Sequence, residues 1–221
     1  VLGSDTAPGL SWGPPRLASS GSKDDAGHGG EVEDVVRMVR RHEGEQSAAW
    51  ARWWLNTRPQ DWTVVRRRDG AVAGAFMLLR LDQLEGVHRP GAREGRGVDG
   101  HDDRYQDPAV VAARRQLAAM PALREGEVAT HVRFWLAGEG YQDLGEVQNL
   151  IAAQLSLHYL YTPGLAVTLL PVADGEAWAA FCAYADQQRM PAADFTVGGR
   201  TMAVFGHDWR ARPPGAWLEL L

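Results

Sequence analysis

The segment from Val128 to Val172 constrains the fold of this 221-residue chain more than any other. It begins with a largely apolar, β-favouring run, VATHVRFWL, passes through a short loop into a long helical pattern, and ends with a continuous apolar run, LAVTLLPV. Buried strands give such runs, and a helix between two such strands joins them in parallel. The sequence therefore predicts an α/β protein whose sheet has a parallel portion covered by helices.

Helix and hairpin signals fill the remaining chain. From Glu31 apolar residues recur at three- and four-residue spacing, with a break near Gly44, so two helices are expected before Pro59. Asp69-Gly70 separates two apolar runs, DWTVVRR and AVAGAFMLLRL, which is typical of a tight β-hairpin. A second hairpin is predicted around Gly198-Gly199. In all, about six strands and four or five helices are expected.

Changes in composition predict the domain organisation. Residues 1–30 are rich in Gly, Ser, Pro and Asp and lack any period, so we expect a flexible arm or linker before a single domain over 31–221. Within that domain, 82–120 is an expected insertion, formed by a polar loop and a helix that Asp107 caps and Pro108 starts. The absent initial methionine and the apolar end, AWLELL, suggest a piece of a longer protein.

Charge and composition limit the classes of partner. With 23 basic and 28 acidic residues the net charge is −5, which argues against a nucleic-acid surface. No apolar stretch approaches the roughly 18 residues of a membrane span. Cys182 is the only cysteine, so no internal disulfide can form and a reducing, cytoplasmic location is expected. The expected protein partners are other domains of a longer chain or a second copy.

The polar loop offers groups that could bind a metal ion. It gathers oxygen and imidazole groups suited to a divalent ion on Asp99, His101, Asp102 and Asp103, with His88 upstream. Their spacing matches no metal-site signature, and a polar loop explains the same composition. No metal site is therefore predicted.

The loop between the predicted strand and helix carries a specific motif. In YQDLGEV, Tyr141, Gln142 and Gly145 stand just before the helix. This motif and the order of elements resemble the GCN5-related N-acetyltransferase (GNAT) superfamily, whose pattern here is Gln/Arg-x-x-Gly-x-Gly/Ala. Val147 stands where the family has a small residue, so the chain resembles a divergent member. The resemblance implies a mixed, twisted sheet flanked by helices, with the long insertion between the third and fourth strands in the family's count.

The resemblance also implies a coenzyme A site at this loop. The first turn of a helix presents unpaired N–H groups, and a glycine lets a pyrophosphate approach them. In the family the pantetheine arm pairs with the fourth strand, and acetyl-CoA is the co-substrate. The alternative reading of the loop is a plain strand-to-helix turn. The implied cofactor-binding residues are Arg133, Phe134, Trp135, Leu136, Gln142, Asp143, Leu144, Gly145, Glu146 and Val147.

Catalytic roles follow from the same resemblance. A small-molecule or peptide amine would attack the thioester directly, with His131 or Glu127 taking its proton and Tyr184 protonating the thiolate. Each has an ordinary structural reading as well: a strand histidine, a loop carboxylate and a helix tyrosine. The glycine-aromatic pair that follows the family's tyrosine is missing here. The alternatives are therefore a catalytically silent module of the same fold that senses a ligand or binds a partner, and an unrelated α/β domain.

Overall fold

The computed structural model describes residues 9–16, 28–84 and 107–220. These residues form five α-helices and eight strands in a mixed, mostly antiparallel sheet, so the predicted α/β class is confirmed. The six predicted strands are all present, and the two additional ones are short. The chain divides into two compact units, unit 1 with residues 1–78 and 134–156, and unit 2 with 79–133 and 157–221.

Unit 1 contains the first strands and the long helix. Its strand order is β1-β2-β3-β4, and β4 and the next helix, α3, also contribute residues to unit 2. The elements are β1 (Leu10–Gly13), α1 (His28–Thr57), β2 (Trp62–Arg67), β3 (Val72–Arg80), β4 (Val128–Ala137) and α3 (Glu146–Tyr161). The predicted β2–β3 hairpin is confirmed, and the Gly70 N–H donates to the Arg67 carbonyl across its turn at 3.0 Å.

The predicted break in the first helical segment is a kink within α1. Gly44 has φ 84° and ψ 178°, backbone angles that essentially only glycine adopts. The two predicted helices are therefore the two halves of one helix, α1, which meet at Gly44.

Part of the expected N-terminal arm is ordered as a strand. β1 pairs antiparallel with β2, from Leu10 opposite Arg67 to Gly13 opposite Val64. Arg66 adds a buried ion pair, with its Nε 2.6 Å from Glu31 Oε1. A strand of four residues is too short to show a period in sequence, which is why the composition of 1–30 indicated only an arm.

Unit 2 contains the parallel pair and the second hairpin. Its strand order is β4-β5-β8-β6, with β7 also pairing with β8, and β4 and β5 are parallel as predicted. The elements are α2 (Pro108–Ala118), β5 (Leu165–Val172), α4 (Gly175–Tyr184), β6 (Gln188–Arg189), β7 (Phe195–Val197), β8 (Arg200–Asp208) and α5 (Pro214–Leu218).

The described part of the predicted insertion is α2 and the segments beside it. The Asp107 side chain accepts from the Ala109 N–H at 3.1 Å, so the predicted N-cap is confirmed. Its other oxygen lies 2.7 Å from Arg133 Nε on β4, and both side chains are only 1% exposed. The insertion is thus anchored to β4 by a buried ion pair. Residues 85–106, including the acidic and histidine cluster considered for metal binding, lie outside the described residues.

No helix in the part of the chain that the structure describes is both long and apolar enough to cross a bilayer.

Candidate functional site

The parallel ladder between β4 and β5 is short. It runs from Val128 opposite Leu165 to His131 opposite Leu169, although β4 itself continues to Ala137. At the end of β4 the Ala137 N–H donates to the Tyr141 carbonyl at 2.7 Å, which closes a tight turn. The chain therefore leaves the strand through an ordered turn at the position where the sequence motif begins.

Residues 138–145, the β4–α3 loop, are fixed by buried side chains. Gln142 Nε2 donates to the Trp135 carbonyl at 3.4 Å, and Gln148 Nε2 on α3 donates to the Tyr141 carbonyl. Tyr141 has φ 53°, in the left-handed region, and its ring is buried. The glutamine of the motif thus holds the loop against β4, while the exposed residues of the loop are Glu139, Asp143, Leu144 and Gly145.

Gly145 stands at the start of α3 with open space beside it. A Cβ built at this position meets no atom within 4 Å, and its φ does not require glycine. The Asn149 N–H donates to the Gly145 carbonyl at 2.9 Å, so this residue begins the helical hydrogen-bond ladder. The first-turn N–H groups that follow have no partner within the helix. A small anion could therefore approach them along the unobstructed side of Gly145.

Val147 makes the close helix–strand contact from α3. A Cβ built on Gly74 of β3 would lie 2.4 Å from Val147 Cγ1 and 2.7 Å from the Leu136 carbonyl oxygen. The small residue of this contact is therefore on the strand. One methyl of Val147 fills the space over Gly74, so the bulk that departs from the motif is accommodated by packing within unit 1.

The loop carries carboxylates and no basic residue. Glu139, Asp143 and Glu146 all lie between Gly138 and Val147. Asp143 and Glu146 are exposed. At the other end of the loop, Arg41 Nη1 donates to the Gly138 carbonyl at 3.2 Å. The amides and the helix dipole therefore favour an anion here, while the carboxylates oppose it.

The four β4 residues of the predicted cofactor set are buried. Phe134 stacks on Trp62 with ring centroids 5.0 Å apart. Arg133 is paired with Asp107, and Trp135 and Leu136 are at most 5% exposed. Their side chains therefore belong to the cores of the two units, and any contact with a pantetheine arm would come from the backbone, as the resemblance implies.

His131 is a buried, neutral imidazole in unit 2. It is 1% exposed, and among the described residues neither ring nitrogen has a hydrogen-bond partner. Burial lowers its pKa to about 3, with a smaller contribution from the Arg133 guanidinium; Asp107 and the Leu169 backbone only partly oppose the shift. Protonating this ring at pH 7 would cost about 5 kcal/mol. His131 is thus poorly suited to take a proton, and its predicted role stays a prediction.

Glu127 and Tyr184 are more accessible. Glu127, just before β4, is half-buried, accepts from the Arg124 N–H at 2.9 Å, and lies 3.8 Å from Arg210 Nη1. Tyr184 ends α4 and is 65% exposed. Both side chains are more exposed than His131, and their roles also stay predictions.

Two contacts of the loop were not predicted from sequence. His42 stacks on Tyr141, and Glu43 Oε1 accepts from the Tyr141 hydroxyl at 3.1 Å. The break near Gly44 was the one available signal, since helix interruptions often mark functional geometry. It could not indicate which loop the broken helix contacts.

Comparisons with known proteins identify the fold. No protein-family model and no curated protein matches the sequence. The solved structure of FeeM, an N-acyl amino acid synthase from uncultured soil microbes, aligns with a TM-score of 0.50 at 13% identity, over 92% of this chain and 94% of that one. Mosquito arylalkylamine N-acetyltransferase like 5b aligns with a TM-score of 0.52 at 11% identity, over 90% of this chain and 99% of that one. The chain has the GNAT fold.

Proposed function

We propose that this GNAT-fold protein is an N-acyltransferase that moves an acyl group from acyl-CoA, in the first instance acetyl-CoA, to an amine. The observation that carries the proposal is Gly145, which leaves open space beside the first turn of α3 although its backbone does not need glycine. In the loop that carries the motif, at the start of a helix, such a glycine lets a ligand approach the backbone amides. The shared fold supports the same assignment at the level of architecture.

The residues of the β4–α3 loop fit the phosphates of coenzyme A. The amides of Gln142 to Val147 would bind the pyrophosphate, and the backbone of Arg133 to Leu136 would receive the pantetheine arm. The thioester supplies an activated carbonyl carbon. Because Asp143 and Glu146 oppose the phosphate charge, we expect micromolar rather than nanomolar affinity.

The proposed reaction is direct transfer. The amine nitrogen forms a bond to the thioester carbonyl carbon, the carbon–sulfur bond breaks, and the amine loses a proton while the thiolate gains one. Glu127 is the better candidate for the base, because its carboxylate is only half-buried, whereas His131 is fully buried and burial lowers its pKa to about 3. Tyr184 is the proposed acid, with an exposed hydroxyl.

The proposed acceptor is a small primary amine, with a peptide amine as the second choice. The two proteins compared above are named an N-acyl amino acid synthase and an arylalkylamine N-acetyltransferase, and both names refer to small amines. We also propose a cytoplasmic location, for which the single cysteine, Cys182, is the only support. A homodimer or further domains of a longer chain are the proposed protein partners.

The alternative function is a catalytically silent module of the same fold. The low pKa of His131, near 3, favours it, because the strand candidate for the base cannot readily accept a proton. The ion pairs of Glu127 with Arg124 and Arg210 also favour a catalytically silent module. Such a module would bind the ligand without transferring the acyl group.

Thiol release tests the proposal. The protein is incubated with acetyl-CoA and amino acids, arylalkylamines or a peptide, and free thiol is recorded against an amine-free control. The proposal expects amine-dependent release, with Glu127→Gln lowering kcat about 100-fold and leaving the Kd for CoA unchanged. Binding without release would support the silent module, and amine-independent release would indicate hydrolysis only.

A further inference from the structure

Three consecutive residues of α1 contact the β4–α3 loop. The Arg41 Nη1 and His42 Nε2 groups each lie 3.2 Å from the Gly138 carbonyl oxygen. The His42 ring also stacks on Tyr141, with centroids 4.9 Å apart and planes 17° from parallel. Glu43 Oε1 accepts from the Tyr141 hydroxyl at 3.1 Å. All of these groups belong to unit 1.

The kink explains how three neighbours in sequence reach one loop. Successive residues of an α-helix point about 100° apart, so three of them cannot face one loop along the side of a straight helix. Here they lie directly before Gly44, where the helix is interrupted, and the loop crosses that end. We call residues 41–44 the α1 corner. Its geometry depends on glycine, since φ 84° with ψ 178° is strained for any other residue.

The central contact of the corner is a buried carboxylate. Glu43 is 4% exposed, and besides the Tyr141 hydroxyl it accepts from the Ser47 hydroxyl. Removing one donor from a buried carboxylate leaves an acceptor poorly satisfied, which is costly. Tyr141 in turn has the left-handed φ of 53°, a conformation that surrounding contacts must hold for a non-glycine residue.

The backbone carbonyl of Tyr141 connects the loop to β4 and α3. Its carbonyl accepts from the Ala137 N–H at the end of β4 and from Gln148 Nε2 in the first turn of α3. Gln148 is 3% exposed, so this contact is shielded from water. A chain of contacts thus runs from Glu43 through Tyr141 to the helix turn that bears the proposed anion-binding amides.

We infer that the α1 corner is a positioning device for the cofactor loop, in which His42, Glu43 and Tyr141 set the loop conformation that α3 presents to a phosphate. The inference rests on the proposed function. The corner does not touch the ligand. It acts by holding Tyr141, and through it the first turn of α3.

Tyr141→Phe is the first test, because it removes the hydroxyl and keeps the ring on His42. Tyr161→Phe, at a tyrosine that is 77% exposed, is the matched control. One lost hydrogen bond is expected to weaken CoA binding about fivefold in Tyr141→Phe. Pantetheine, which lacks the nucleotide phosphates, should bind both variants and the wild type equally in calorimetric titration.

A second pair of variants tests Glu43, which accepts the hydrogen bond from the Tyr141 hydroxyl. Glu43→Gln keeps an oxygen that can accept from the Tyr141 hydroxyl, so it should retain more CoA affinity than Glu43→Ala. Equal CoA binding by Tyr141→Phe and the wild type would overturn the inference. A loss of affinity that is as large for pantetheine as for CoA would also overturn it, since such a loss would indicate general damage to the protein.

Amide exchange separates this inference from the proposed function. In Tyr141→Phe the exchange of residues 137–149 should rise about fivefold, with no such rise in Tyr161→Phe. A wild type that fails to bind CoA would refute the proposed function alone. Unchanged exchange in Tyr141→Phe would refute the positioning role even in a protein that binds CoA.

Discussion

Replacing His131 with leucine should remove a large part of the protein's sensitivity to mild acid. The imidazole is 1% exposed, and burial lowers its pKa to about 3, whereas an unfolded histidine has a pKa of about 6.5. Around it lie Arg133 on the same strand, Asp107 at the start of α2, and the ring of Phe195 on β7, 6.4 Å away. Neither ring nitrogen has a hydrogen-bond partner of good geometry among the described residues, and the Leu169 backbone favours the charged ring only weakly.

The direction of the effect follows from which state binds the proton. Below pH 6.5 the unfolded chain protonates this histidine, but the folded protein does not do so until about pH 3. The stabilisation by neutral His131 is therefore complete above pH 6.5 and is lost as the pH falls toward 3. Between pH 7 and pH 5 these pKa values give a loss of about 2 kcal/mol in the free energy of unfolding. His158, whose pKa burial lowers to about 4, also makes the folded protein less stable as the pH falls through the same range. This second contribution remains in the His131→Leu variant.

Urea unfolding at pH 7 and pH 5 measures this contribution. At pH 7 His131→Leu should be about as stable as the wild type, because both unpartnered nitrogens are removed with little change in shape. At pH 5 the variant should gain about 2 kcal/mol on the wild type. Thr130→Val is the control, since Thr130 also carries a buried unpartnered polar atom but does not titrate. Parallel pH curves for His131→Leu and the wild type would refute the reasoning.

Other predictions concern the loop charges, the buried ion pair and the thiol. Neutralising Asp143 and Glu146 to Asn and Gln should raise CoA affinity about fivefold at low salt, by calorimetry, and a gain that persists at high salt would contradict the electrostatic cause. Arg133→Met removes the guanidinium that pairs with the buried Asp107 carboxylate and should lower the unfolding free energy by about 3–5 kcal/mol in urea titration; a loss below about 1 kcal/mol argues against the pair. Burial raises the pKa of Cys182 to about 11, so a chromogenic disulfide reagent at pH 8 should label this thiol only after denaturation. Rapid labelling of the native protein would contradict the burial of the thiol.

Local signals predicted most of the fold. The Asp69-Gly70 turn, the break at Gly44 and the cap at Asp107 each depend on a few adjacent residues, and the structure confirms all three. β1 and β6, with four and two residues, were not predicted, because strands of this length show no alternation. Their pairing depends on neighbours far away in the chain.

The site was less accessible to sequence reasoning. The sequence predicted that His131 lies on a strand but could not show that both faces of this strand, β4, are buried. The contact of Glu43 with Tyr141 joins residues 98 positions apart, and no local pattern encodes it. The packing of Val147 on Gly74 likewise becomes visible only when α3 lies on β3, so the departure from the motif could not be interpreted from the sequence.

Calorimetric titration with coenzyme A tests the central claim most directly. Wild type is compared with Gly145→Trp, which fills the open space at the start of α3, and with Gly215→Trp, which adds the same side chain at another open glycine in α5. The account predicts micromolar binding by the wild type and Gly215→Trp, and loss of binding by Gly145→Trp. Binding that survives in Gly145→Trp, or no binding by folded wild type up to about 1 mM, would contradict it.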